Sequence, residues 1–197
     1  MAMGKIKSAW EIALEKTEGI TIDKEKMKYQ SDVEKARKAA GSYMLADKAD
    51  DEAFINNLKD IDPKAMKEGL LMTADANISL PESEEGNEER FRRIKTIIAI
   101  ASDNNSNALA LTDELIGFLN QYPLHRKDLV EKMKAQYKPI LDEKSEKLSK
   151  QYGQDIHLTY ENDKEFMEAA SKNLERLENQ YQQTVRNAKA QLKQMIG

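Results

Sequence analysis

The sequence predicts an all-α protein: an N-terminal bundle of short helices followed by a long, antiparallel, coiled-coil-like helical hairpin. Three observations carry this expectation. Apolar residues recur at spacings of three and four through most of the chain. Glycine and proline are sparse, 8 and 4 in 197 residues, so few sharp breaks are available. The last third is highly charged and repeats apolar residues every seven positions, at Leu174, Tyr181, Ala188 and Met195. The bundle is expected over residues 1–122 and the hairpin over 123–197, with a short extended corner at 154–161.

Residues 5–17 place Ile6, Ala9, Trp10, Ala13 and Leu14 on one helical face, and Gly19 suggests a stop. A second helix is expected within 24–46, with Met27, Val33, Ala36, Ala40, Tyr43 and Met44 inward. Ser31 and Glu34 have the spacing of a capping box, which suggests a restart. Asp50 suits the cap of a short helix burying Phe54, Ile55 and Leu58. Asp62-Pro63 is the clearest start signal, because aspartate caps well and proline at the first helical position loses no needed donor. That helix is expected to end near Asn77. The acidic stretch PESEEGNEE then reads as a mobile segment or a boundary.

Phe91, Ile94, Ile97, Ile98 and Ala101 form the next apolar stripe, and SDNNSN reads as a turn. Leu111, Leu115, Ile116, Phe118 and Leu119 lead up to Tyr122-Pro123. A long helix is expected from about Lys127 to Tyr152, with Pro139 marking a kink or restart and Gly153 closing it. A second long helix is expected from Asp163 nearly to the end.

Composition excludes several chemistries. There is no cysteine, so disulfides, thiol catalysis and cysteine-ligated metals are absent, and a reducing compartment fits. The only histidines are His125 and His157, and neither has a carboxylate three positions earlier, as a bundle di-iron site usually requires. No phosphate-cradling, dinucleotide or zinc-protease motif occurs. No metal, cofactor or catalytic residue is expected. No apolar run is long enough to span a bilayer, and the opening lacks the apolar core of a secretory signal. Residues 47–89 hold 13 acidic and 4 basic residues, whereas residues 124–152 hold 8 basic and 5 acidic. This is not the concentrated basic footprint of a nucleic-acid binder.

The candidate partner-binding residues are few. Trp10 is the sole tryptophan; core packing is the first reading, and an interface anchor or a membrane-surface contact the alternatives. Arg90, Arg92 and Arg93 in RFRRIK form the best basic cluster, read either as a solvated face or as a contact for phosphate or an acidic partner. In QDIHLTYE, Ile156, Leu158 and Tyr160 alternate with His157, Thr159 and Glu161. The apolar set pins the corner, and His157 faces solvent or lies on an edge open to a partner strand. Leu174, Leu177, Tyr181 and Leu192 form a seam available for self-association. The nine methionines are dispersed, which suits core gap-filling.

The opening GKIKSAWEIALEKTEGI, together with GQDIHLTYENDKEF between long helices, resembles an uncharacterised family of bacterial cytoplasmic helical proteins. The resemblance implies a cytoplasmic setting and supplies no site. The expected function is therefore non-enzymatic: a protein-interaction or scaffold protein that contacts a protein partner or another copy of itself. The alternative is a ribosome- or RNA-associated factor using the basic faces of residues 90–95 and 126–150.

Overall fold

The computed structural model describes residues 8–197, apart from the side chains of residues 9 and 15–23. Among the described residues there are six α-helices and no strand, so the all-α expectation holds. Ile6 and the side chain of Ala9, named with the first stripe, lie outside the described residues.

The first helix, α1, runs without interruption over Ala9–Leu45. Ser8 opens it through a complete capping box: its hydroxyl accepts from the Glu11 N–H at 3.2 Å, and its own N–H donates to the Glu11 carboxylate at 2.7 Å. The break expected near Gly19 is absent, and so is the restart at Ser31. A glycine with helical backbone lowers stability by about 1 kcal/mol but does not end a helix. A glycine commonly ends a helix by taking the left-handed conformation just after it, as Gly153 does after α5.

The chain divides into two compact units. The first comprises residues 1–77, 93–105 and 196–197; the second comprises 78–92 and 106–195.

In the first unit, α1 packs along α3 (Pro63–Asn77). Val33, Ala36, Ala40 and Tyr43 are buried as expected, but Met27 is exposed, since it lies on the stretch before α1 meets a neighbour. The crossing is unusually close. A Cβ built on Gly69 would lie 2.5 Å from the Val33 carbonyl and 2.7 Å from the Ala36 methyl, so only glycine fits. Asp50 caps α2 (Asp51–Asn56) by accepting from Ala53 N–H at 2.9 Å. Phe54 stacks on Tyr43 at 4.3 Å, and the Tyr43 hydroxyl donates to Asp51 at 2.6 Å. Leu58 is buried, whereas Ile55 points outward, corrected from the core by a helix too short to bury two faces. Asp62 caps α3 as predicted, accepting from Lys64 and Ala65 N–H at 3.0 Å each. Ile97, Ile98 and Ala101 of α4 (Glu88–Ala101) are wholly buried.

In the second unit, the acidic loop is folded on itself. Gly86 supplies a positive φ, Ser83 Oγ donates to the Glu85 carbonyl at 2.8 Å, and Asn87 Nδ2 donates to the Ser83 carbonyl at 2.9 Å. The main helix, α5, spans Ser106–Tyr152 with Pro123 and Pro139 inside it. The helix therefore passes through the boundary expected at 122/123 and through Pro139. Each proline deletes one i→i−4 bond, and in a helix of 47 residues the neighbouring turns keep theirs. The last helix, α6 (Lys164–Ile196), runs antiparallel to α5. Tyr137 of α5 meets Phe166 near the start of α6, while Phe118 and Tyr122 meet Tyr181 further along. The predicted seam is thus filled within the chain. Met167 and Met195 lie outside it, and Met72 is likewise exposed, so these three methionines are not core fillers.

Two glycines give opposite predictions. Gly69→Ala should lower stability by about 1–3 kcal/mol, as overpacking of a tight contact does. Around Gly41 there is open space, so Gly41→Ala should be neutral or raise stability by up to about 1 kcal/mol. Denaturant midpoints of the two variants check this; equal effects would contradict the close crossing.

Candidate functional site

The first part of α1 exposes apolar side chains, including the only tryptophan of the sequence. Trp10 is 74% exposed, and Ile12 and Leu14 are 44% and 47% exposed. Every described side chain from Ser8 to Ser31 is exposed. Burial begins only at Asp32 and Val33, where α3 comes alongside. Core packing of Trp10 is therefore corrected: the indole lies on a stretch of α1 where every described side chain is exposed. The exposed indole sits on a helix held at its start by the Ser8–Glu11 box.

The junction between free and packed helix is built around Asp32. Its carboxylate is almost fully buried and 2.8 Å from the Lys35 ammonium. The Lys35 hydrogen bond lowers its pKa against the opposing effect of burial, helped by the Asp62 backbone N–H. Beside this junction lies an open groove of about 690 Å³ between α1 and α3. Lys35, Arg37 and Lys38 rim it on α1; Gly41, Met72 and Ala76 open its floor.

The RFRRIK cluster serves three structural ends instead of one surface. Arg93 is buried, and its Nη1 donates to the carbonyls of Tyr43 and Met44 at 2.9 Å each. These are among the last carbonyls of α1, which has no basic residue in its own final turn. Arg92 forms a two-pronged pair with Glu89 at 2.9 and 3.0 Å, one turn away. Arg90 donates to the hydroxyl and carbonyl of Ser79 at 3.2 and 3.3 Å and lies over the Phe91 ring. Its Nε is buried without an acceptor among the described residues, and desolvation lowers its pKa.

The corner after α5 is held by two serines that the apolar pattern did not mark. Ser149 Oγ accepts from Ile156 N–H at 2.9 Å and donates to the Ile156 carbonyl at 3.2 Å. Ser145 Oγ accepts from Leu158 N–H at 3.0 Å. Ile156, Leu158 and Tyr160 turn partly inward, and Tyr160 donates to the Lys134 carbonyl at 3.1 Å. His157 is exposed, with its Nε2 3.3 Å from the equally exposed Asp155 carboxylate. Serine spacing of four along α5 was the available signal.

Asp163 then caps α6, accepting from Phe166 N–H at 2.9 Å. Although buried, it binds Lys144 at 2.7 Å and the Tyr137 hydroxyl at 2.9 Å. Burial alone would raise its pKa, but the Lys144 ammonium, the Phe166 N–H and Tyr137 together lower it to about 2. Lys144, contacting Asp163, Glu165 and Tyr137, is raised. Lys144, which steps along α5 in line with the apolar stripe, is thus a cation turned toward a buried carboxylate.

His125 meets Tyr181, with hydroxyl and Nδ1 2.6 Å apart, inside the ring cluster of Phe118 and Tyr122. Tyr181 is buried, and burial raises its pKa. Leu174 and Leu177 are half-buried on the same helix. Tyr181 is accordingly a contact within the chain and not an accessible one. His125 and His157 lie at separate places in the second unit, and no group of three or more metal-ligating side chains occurs among the described residues.

Residues 52–194, about three-quarters of the chain, match the family of unknown function DUF6657. The chain belongs to DUF6657. The corner, the Lys144–Asp163 pair and RFRRIK fall inside the DUF6657 match, whereas Trp10 and most of α1 precede it. The opening GKIKSAWEIALEKTEGI also precedes it. No curated protein and no solved structure matches this DUF6657 chain. No helix among the described residues is long and apolar enough to cross a membrane.

Arg93→Ala should cost about 1.5–3 kcal/mol by stranding the carbonyls of α1, while Arg92→Ala should cost under about 1 kcal/mol as an exposed pair. Thermal unfolding of the two variants separates these roles. Asp163 carries a folded pKa of about 2 against 3.8 ordinarily. Its contribution to stability is therefore present above pH 4 and lost as pH falls toward 2. Asp163→Asn, which keeps a capping side chain, should lose less stability than the parent between pH 4 and pH 2 in denaturant titrations. Parallel curves would remove the ion pair from the account.

Proposed function

We propose that this DUF6657 chain is a non-enzymatic cytoplasmic protein-interaction or scaffold protein, with the first part of α1 as its contact element. The observation that carries the reading is the exposure of the only tryptophan, with Ile12 and Leu14, on the stretch of α1 where every described side chain is exposed. A helix presenting an aromatic anchor and aliphatic residues is the form in which a groove on a partner receives a segment. Tryptophan contributes more binding free energy per residue than most others when such a site closes over it. A chain without cysteine suits a reducing compartment.

The ribosome or RNA alternative would need basic faces open to phosphate. In RFRRIK, Arg93 and Arg92 already serve α1 and Glu89. Along α5, Lys138, Lys147 and Lys150 each face a carboxylate one turn away, and Lys144 is engaged with Asp163. These pairings favour the protein-interaction reading.

Trp10→Ala combined with Leu14→Ala should leave the melting temperature within a few degrees of the parent. The same double variant should lose binding to the protein that co-purifies with the tagged parent chain. Retention of that partner with unchanged affinity would remove α1 from the contact.

A further inference from the structure

The contact element and a matching receptor are both present in the first unit. Resting on the reading that the first part of α1 is the contact element, we propose that its receptor is the α1–α3 groove of a second copy, so that copies join head to tail.

Three features support this. The first is charge. The turns that carry Trp10, residues 9–23, hold four carboxylates, Glu11, Glu15, Glu18 and Asp23, against the single cation Lys16, and Lys24, Lys26 and Lys28 come only in the turns that follow. The groove is rimmed by Lys35, Arg37 and Lys38 against Glu34. Arg37 is paired with Glu34 at 2.6 Å and Lys35 with the buried Asp32. Lys38 has no carboxylate partner among the described residues. An acidic helix entering the groove would supply one.

The second is shape. The floor of the groove has open space over Gly41 and an exposed Met72 thioether beside the small Ala76. A flexible methionine beside vacant space is a suitable seat for an indole, since sulfur–aromatic contact is favourable and the side chain adapts. The groove lies along two helices, so a third helix can lie in it.

The third is reach. α1 is one continuous helix from Ala9 to Leu45. Trp10 therefore stands roughly 30 Å along the axis from Ser31, at about 1.5 Å per residue. It cannot fold back into its own groove without breaking the helix. A different patch on each copy then forms the contact, which is a heterologous interface capable of chain growth or ring closure.

The test uses the full chain, followed by light scattering and by the emission of Trp10 over a concentration series. Association should increase with concentration, with a blue shift as the indole leaves water, and both should weaken at high salt. Gly41→Phe puts a ring into the groove from a position where an added Cβ meets no atom within 4 Å. It should abolish association with the melting curve preserved, and Lys38→Glu should weaken it roughly tenfold or more. The Trp10→Ala/Leu14→Ala variant keeps the groove, whereas Gly41→Phe keeps the helix. Each alone should be monomeric, and their mixture should give a one-to-one complex that grows no further. A monomer at every concentration with unshifted emission would overturn the proposal. A dimer indifferent to Gly41→Phe would overturn it too, as symmetric pairing of the α1 segments. In either case, loss of another protein's binding by the α1 double variant would leave the contact-element reading standing.

Discussion

The first unit depends on how closely α1 approaches α3 at Gly69. With the Val33 carbonyl and the Ala36 methyl where a Cβ would be, the two helices touch through backbone and small side chains. Interaxial distance follows from the residues at the contact. Ala36, Ala40, Ala65 and Ala74 are accordingly all buried, and Leu70 is sealed among them. The bulkier stack of Tyr43 on Phe54 comes near the end of α1, where α2 begins. Arg93 completes that end by occupying carbonyls that α1 cannot satisfy itself. The charge of a residue in a basic run is thereby spent on a helix terminus.

The second unit is held differently. Its long helices meet through rings spaced along the pair, Phe118, Tyr122 and Tyr181 at one place and Tyr137, Tyr160 and Phe166 at another. At the corner, polar groups replace apolar ones. Ser145 and Ser149 bind backbone of the returning strand-like segment, and Asp163 joins the start of α6 to Lys144. A buried carboxylate is tolerated there because every direction it faces supplies a donor. Much of the polar character of this corner is consumed in holding it, whereas His157 faces solvent beside the exposed Asp155.

Packing leaves some apolar side chains of the first unit uncovered. Val33, Ala36 and Leu70 are buried in the first unit, whereas Trp10, Ile12 and Leu14 of the same unit are exposed. Isolated exposed apolar residues are ordinary on any surface. A sole tryptophan on a capped helix, beside an excess of carboxylates and with a basic groove in the same unit, is a more specific arrangement. It is this arrangement on which the proposed contact role of α1 rests.

Local signals in the sequence determined the helical class, the Asp50 and Asp62 caps, the end of α3 at Asn77, the Gly153 stop, the start of α6 after Asp163 and the alternation of Ile156, Leu158 and Tyr160. Each depends on spacing or on side chains bonding their own backbone, so neighbours in sequence suffice. Tertiary structure decided that Gly19, Pro123 and Pro139 interrupt nothing, because the cost of one poor residue is small against a long run of intact helical bonds. It decided that Arg93 is buried and Trp10 is not. Both residues sit in amphipathic helices whose pattern shows two faces, and only the partner across space, present for one and absent for the other, selects which face is covered.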